Sequence, residues 1–127
     1  MISKQVLSLY SLMDGTSYIL MDFWASWCGA CIESIPIIQD IRQKYAGSGL
    51  KIIGVNCWEK DVQNGLEAIE RESITWPVII TSKDEDVQKF GVSAIPTFIL
   101  ISPEGKMLER CEGSRELEDK LATYFIL

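Results

Sequence analysis

FWASWCGACIESIP, residues 23–36, places two cysteines three positions apart, between an aromatic run and a segment with helical spacing. If a helix begins at or just before Cys28, Cys31 falls one turn later on the same side, and the two sulfurs come within bonding range across a tight turn. Cys28 then sits beside unpaired backbone N–H groups and the positive end of the helix dipole, which favour its thiolate and make it the attacking nucleophile. Cys31, one turn deeper, is the better shielded and resolves the mixed disulfide. A C-x-x-C pair is also half of a zinc site, but no histidine and no second C-x-x-C occurs to complete four ligands. An inert structural bridge is the third reading of the pair, and the redox couple is the one we adopt.

Outward from this stretch the sequence alternates strand and helix. YILMDFW (18–24) is an apolar run with one acid, Asp22, in the manner of a strand buried on both faces of a largely parallel sheet. From Cys28 to Tyr45, Ile32, Ile35, Ile38 and Ile41 recur at helical spacing, with Pro36 inside the helix and AGSG ending it. LKIIGVNCW (from Leu50) reads as a second strand, and EKDVQNGLEAIERE (59–72) as a second helix with Val62, Leu66 and Ile69 on one face. A short strand at WPVIIT, a short helix closed by Gly91, a strand in PTFILIS, a PEG turn, a returning strand KMLERC and a terminal helix capped by Ser114 complete the pattern. The expected architecture is α/β, a mixed sheet flanked by helices in one domain over residues 1–127, with 1–13 as a lead-in.

Composition narrows the function. The chain has 127 residues, 47% hydrophobic and 24% charged, enough to bury about two-thirds of its unfolded surface without a staple. A formal charge of −6, with the basic residues scattered among acids, argues against nucleic acid as a partner. The absence of histidine removes Ser-His and Cys-His nucleophile activation. No apolar stretch has the length of a membrane span and the N-terminus has no signal-peptide core, so a membrane anchor or leader is expected only as a segment removed from this chain.

DFWASWCGAC, AIPTFIL and PEGK together resemble the thioredoxin superfamily, from about Asp14 to the C-terminus. ASWCGACIESIP, IIGVN followed by a long acidic stretch before WPVI, and GVSAIPTFILISPEGK are similar to its TlpA/ResA-like thiol-disulfide oxidoreductases, with residues 59–76 as the helical insertion of that branch. The resemblance implies a thioredoxin-like fold and a thiol-disulfide oxidoreductase with Cys28 and Cys31 as its redox pair. Asp22, six residues before Cys28, matches the buried acid of the superfamily. Burial raises the pKa of such a carboxyl, which fits it as general base for Cys31. The lysine that thioredoxins place near this acid is replaced by Gly54.

Pro96 matches the superfamily's cis-proline, and the bend frees the backbone of Ile95 to pair with a substrate strand. Trp27 forms an apolar platform beside Cys28, above a core-packed Trp24, and Gly29 and Ala30 set the turn that tunes the potential. Where the branch often has an acid two residues before the helix proline, this chain has Ser34, with Glu33 one step earlier. Cys57 and Cys111, on strands separated by others, are expected as free thiols.

No bound cofactor is required, since the dithiol carries the electrons. The implied partners are protein thiol or disulfide substrates and an upstream redox donor. The implied role is reductant or isomerase in a bacterial periplasm or another extracytoplasmic space, with the cytoplasm as the alternative. A peroxiredoxin-type peroxide reductase and a non-catalytic sensor module are the competing readings; no Thr and Arg setting surrounds any cysteine in support of the first.

Overall fold

The computed structural model describes residues 2–3 and 12–125. The N-terminal lead-in therefore falls largely outside the described residues. Ten elements follow in order: β1 (Ile2–Ser3), β2 (Tyr18–Trp24), α1 (Gly29–Tyr45), β3 (Leu50–Asn56), α2 (Val62–Arg71), β4 (Val78–Ile80), α3 (Asp84–Gln88), β5 (Thr97–Ile101), β6 (Met107–Cys111) and α4 (Ser114–Leu121). A 3-10 turn, Ala46–Ser48, ends α1, and Gly49 at φ +82 reverses the chain into β3.

The six strands form one mixed sheet in the order β1-β4-β3-β2-β5-β6. β2 pairs parallel to β3 from Tyr18↔Leu50 to Trp24↔Asn56 and antiparallel to β5 from Ile19↔Ile101 to Phe23↔Thr97. With a neighbour on each side and a layer on each face, β2 reads as a nearly unbroken apolar run. Alternate residues serve different cores. Ile19, Met21 and Phe23 pack with Val55, Val87, Phe90, Val92 and Ile99 on the α3 side. Leu20 and Trp24 pack with Ile35, Ile38 and Ile41 of α1 and Leu117 and Leu121 of α4 on the other. Asp22 shares the parity of Leu20 and Trp24, so it belongs to the face that α1 covers.

The expected strands and helices all occur, with three shifts of boundary. β3 stops at Asn56, leaving Cys57 and Trp58 in the following loop. α2 starts at Val62, not Glu59, because the Asp61 carboxylate accepts the Gln63 N–H and fixes the N-cap there. Ser114 is the first residue of α4 and not its cap; Gly113 holds that place without a side-chain bond. Pro36 lies within α1, where it removes one donor from the helix ladder.

Candidate active site

The site forms at the C-terminal ends of the parallel strands β2 and β3, the edge where open α/β sheets place their chemistry. β2 ends at Trp24, and a three-residue loop delivers Cys28 as the N-cap of α1. Its Sγ accepts the backbone N–H of Cys31 at 3.2 Å, and the first turn of α1 carries no acidic side chain to oppose a thiolate. Cys28 and Cys31 form a disulfide with Cα atoms 5.2 Å apart. Cys28 is 8% exposed and Cys31 3%, which makes Cys28 the more accessible sulfur.

The Ile95-Pro96 peptide bond is cis, and the Ile95 carbonyl oxygen lies 3.8 Å from Cys28 Sγ. The α3–β5 loop that carries it is held from the sheet edge: Arg110 of β6 donates to the carbonyls of Phe90 and Gly91, and Thr97 Oγ1 donates to the Ala94 carbonyl at 2.7 Å. Trp27 stands on the surface, 59% exposed, and its indole N–H donates to the Trp58 carbonyl at 2.8 Å. Trp24 is buried in the core below. Gly29 and Ala30 form the exposed start of α1 between the sulfurs, and the carbonyl of Ala30 accepts Ser34 Oγ at 2.8 Å. Ser34 is thus a buried helix-internal hydroxyl, and Glu33 points to solvent.

Asp22 is buried, and burial pushes its carboxyl from an ordinary 3.8 up to about 7. Its register neighbours are Gly54 on β3 and Phe98 on β5, neither of which carries a charge. A side chain at Gly54 has little room: a Cβ there would lie 3.1 Å from Val78 and 3.3 Å from each of the indole nitrogens of Trp24 and Trp76. Those two buried N–H groups have no hydrogen-bond partner among the described residues, so both indole donors gather beside the acid's neighbour.

Sequence reading missed the group that braces the loop. The Glu59 carboxylate accepts the Ser26 N–H and Ser26 Oγ, both at 2.6 Å, and Asn56 Nδ2 at 2.8 Å. Two residues upstream of Cys28, the loop is thereby clamped to the end of β3. The available signal was an Asn ending a parallel strand with an acid three residues on, at the site-bearing edge; it was hidden because Glu59 also fits the start of an acidic helix. Cys57 and Cys111 are free and buried, in cores on opposite faces of the sheet. Burial, then the nearby Glu59 carboxylate, pushes the Cys57 thiol up to about 12. Among the described residues no cluster of three or more Cys, Asp or Glu side chains is arranged to hold a metal ion.

A C-x-x-C disulfide at a helix N-terminus, faced by a cis-proline loop in a thioredoxin-like sheet, is the arrangement of a thiol-disulfide exchange site. The comparisons agree: residues 4–124 match the Redoxin family, and the chain belongs to it. It is 30% identical over 101 residues to thiol-disulfide oxidoreductase ResA of Geobacillus thermodenitrificans, covering 80% of this chain and 58% of the relative. The thioredoxin domain of a thiol-disulfide oxidoreductase from Bacteroides vulgatus superposes with a TM-score of 0.78 at 25% identity, covering 87% of this chain and 80% of that one. A thiol-disulfide oxidoreductase from Bacteroides fragilis gives 0.76 at 25% identity, covering 87% and 82%. The chain spans a little over half the length of the curated ResA relatives it matches.

Proposed function

We propose that the protein exchanges disulfides with protein substrates through Cys28 and Cys31, acting as a reductant or isomerase supplied with electrons by an upstream thiol donor. The observation that carries this reading is the Cys28–Cys31 disulfide at the start of α1, with the Ile95 carbonyl 3.8 Å from the Cys28 sulfur. In the reducing direction, the Cys28 thiolate attacks one sulfur of a substrate disulfide. A mixed disulfide forms and the other substrate sulfur leaves as a thiolate that takes up a proton. Cys31 then loses its proton to Asp22 and attacks Cys28 Sγ. The intramolecular disulfide forms, the second substrate thiol departs, and two electrons have passed from the dithiol to the substrate.

In this reading Asp22 is the general base, with a carboxyl raised to about 7 and so able to take and return a proton near neutral pH. Trp27 and the Ile95-Pro96 backbone receive an extended substrate segment, and Gly29 and Ala30 set the potential through the turn. Residues 59–76, which include the crossover helix α2, are the helical addition of the TlpA-like branch within a single domain. The likeness to ResA supports an extracytoplasmic setting.

The test is the redox equilibrium of the pair in thiol buffers of known potential, read by the fluorescence of Trp24 and Trp27, with insulin disulfide reduction alongside. A two-electron transition that vanishes in Cys28→Ser, together with loss of reduction, is expected. A chain with no transition, or with reduction untouched by Cys28→Ser, overturns the reading.

A further inference from the structure

On the α3 side of the Ile95-Pro96 loop lies a cleft of about 410 Å³ lined by Trp58, Asp84, Gln88, Gly91, Val92 and Ser93. Its floor is built with care. Trp58 is a non-glycine residue at φ +57, a sparsely populated conformation held from both ends. Its indole N–H donates to Asp84 Oδ1 at 2.8 Å, and its carbonyl accepts the indole N–H of Trp27. Gln88 Nε2, one turn along α3, donates to the other oxygen of Asp84 at 2.7 Å. The Asp84 carboxylate is therefore oriented by two neutral donors, and among the described residues it takes part in no ion pair, although Lys83 is its neighbour in sequence. An aromatic face and an uncompensated carboxylate share one open cleft.

The cleft is tied to the proposed substrate site through the backbone and one hydrogen bond. Gly91, Val92 and Ser93 form its wall, and two residues beyond Ser93 the chain reaches Ile95, whose carbonyl faces Cys28 Sγ. On the other side Trp27, beside Cys28, is bonded to the backbone of Trp58. A substrate strand lying along Ile95 advances about 3.3 Å per residue and alternates its faces, so a side chain two positions from the reacting cysteine projects on the cysteine's side, about 7 Å along, toward the loop that walls the cleft.

We infer that this cleft is a specificity pocket for a basic side chain of the substrate, a lysine or arginine two residues from the target cysteine, with the cation over Trp58 and paired to Asp84. The inference rests on the disulfide-exchange reading and adds to it a preference among substrates. Stacking of a cation on an indole and a partly exposed ion pair each contribute modestly, so the expected preference is roughly fivefold to tenfold in kcat/KM, carried by KM.

The test measures reduction of two matched cystine peptides by the reduced protein, one with arginine and one with glutamate two residues from the cysteine. Wild type should favour the arginine peptide by that factor, the preference shrinking in high salt. Asp84→Asn should bring the ratio of the two rates close to one, and Asp84→Lys should reverse it. Reduction of both peptides at equal rates by wild type overturns the pocket while leaving disulfide exchange standing. So does an Asp84→Asn variant in which both rates fall by the same factor, since that marks a structural effect. Failure to reduce either peptide overturns the disulfide-exchange reading and the pocket together.

Discussion

Asp22 and Gly54 face each other across the parallel strands β2 and β3, so the buried carboxyl has a bare Cα where a side chain would otherwise stand. Nothing charged relieves its desolvation from that side, and burial raises it from 3.8 to about 7. Between these values the unfolded chain has lost the proton while the folded one keeps it. Stability therefore falls as pH rises from about 4 to about 7 and is level above. Urea unfolding at pH 5 and pH 8 should show wild type weaker at the higher pH, by up to about 3 kcal/mol from this group. Asp22→Asn should remove that slope, and a slope unchanged in the variant would mean that another group titrates.

Glu59 clamps the loop that presents Cys28. Glu59→Ala leaves the Ser26 N–H and the Asn56 amide of the buried strand end without their acceptor, at a cost of about 2 kcal/mol or more in chemical denaturation. Glu59→Gln keeps the shape but turns one acceptor into a donor, and should recover only part of the loss.

Gly65 in α2 packs its Cα against Asn56, and a Cβ there would collide with the Asn56 side-chain amide. Alanine ordinarily stabilises a helix by about 1 kcal/mol over glycine. Here Gly65→Ala should instead destabilise by roughly 1–3 kcal/mol, because Asn56 is fully buried and bonded to Glu59 and has nowhere to retreat. Thermal unfolding of the variant decides the sign.

Cys57 is buried, with its thiol pushed up to about 12. In the reduced native protein at pH 8 it should react with a thiol reagent on the order of 10³-fold more slowly than free cysteine, while Cys28 reacts fast. Labelling followed by peptide mapping distinguishes the two, and prompt modification of Cys57 would show that its core opens.

Much of this arrangement was legible in the chain. β2 was readable to the residue because a strand buried on both faces is a continuous apolar run that its neighbours cannot disguise. Cys28 and Cys31 were readable because helical spacing alone brings them together. The first turn of α2 was not, since Glu59 and Lys60 suit a helix as well as a loop, and only the Asp61 cap bond breaks the tie.

The sequence by itself determined the order of strands and helices, the sulfur pair at a helix start and the position of a buried acid, because each depends on periodicity or on neighbours within one turn. The tertiary structure decided the rest. It turned Glu59 onto Ser26, brought the Ile95 carbonyl to the Cys28 sulfur, and joined Trp58 to Asp84 in the floor of the cleft. These pairs lie 26 to 67 residues apart, and local propensity carries no information about which distant backbones will meet.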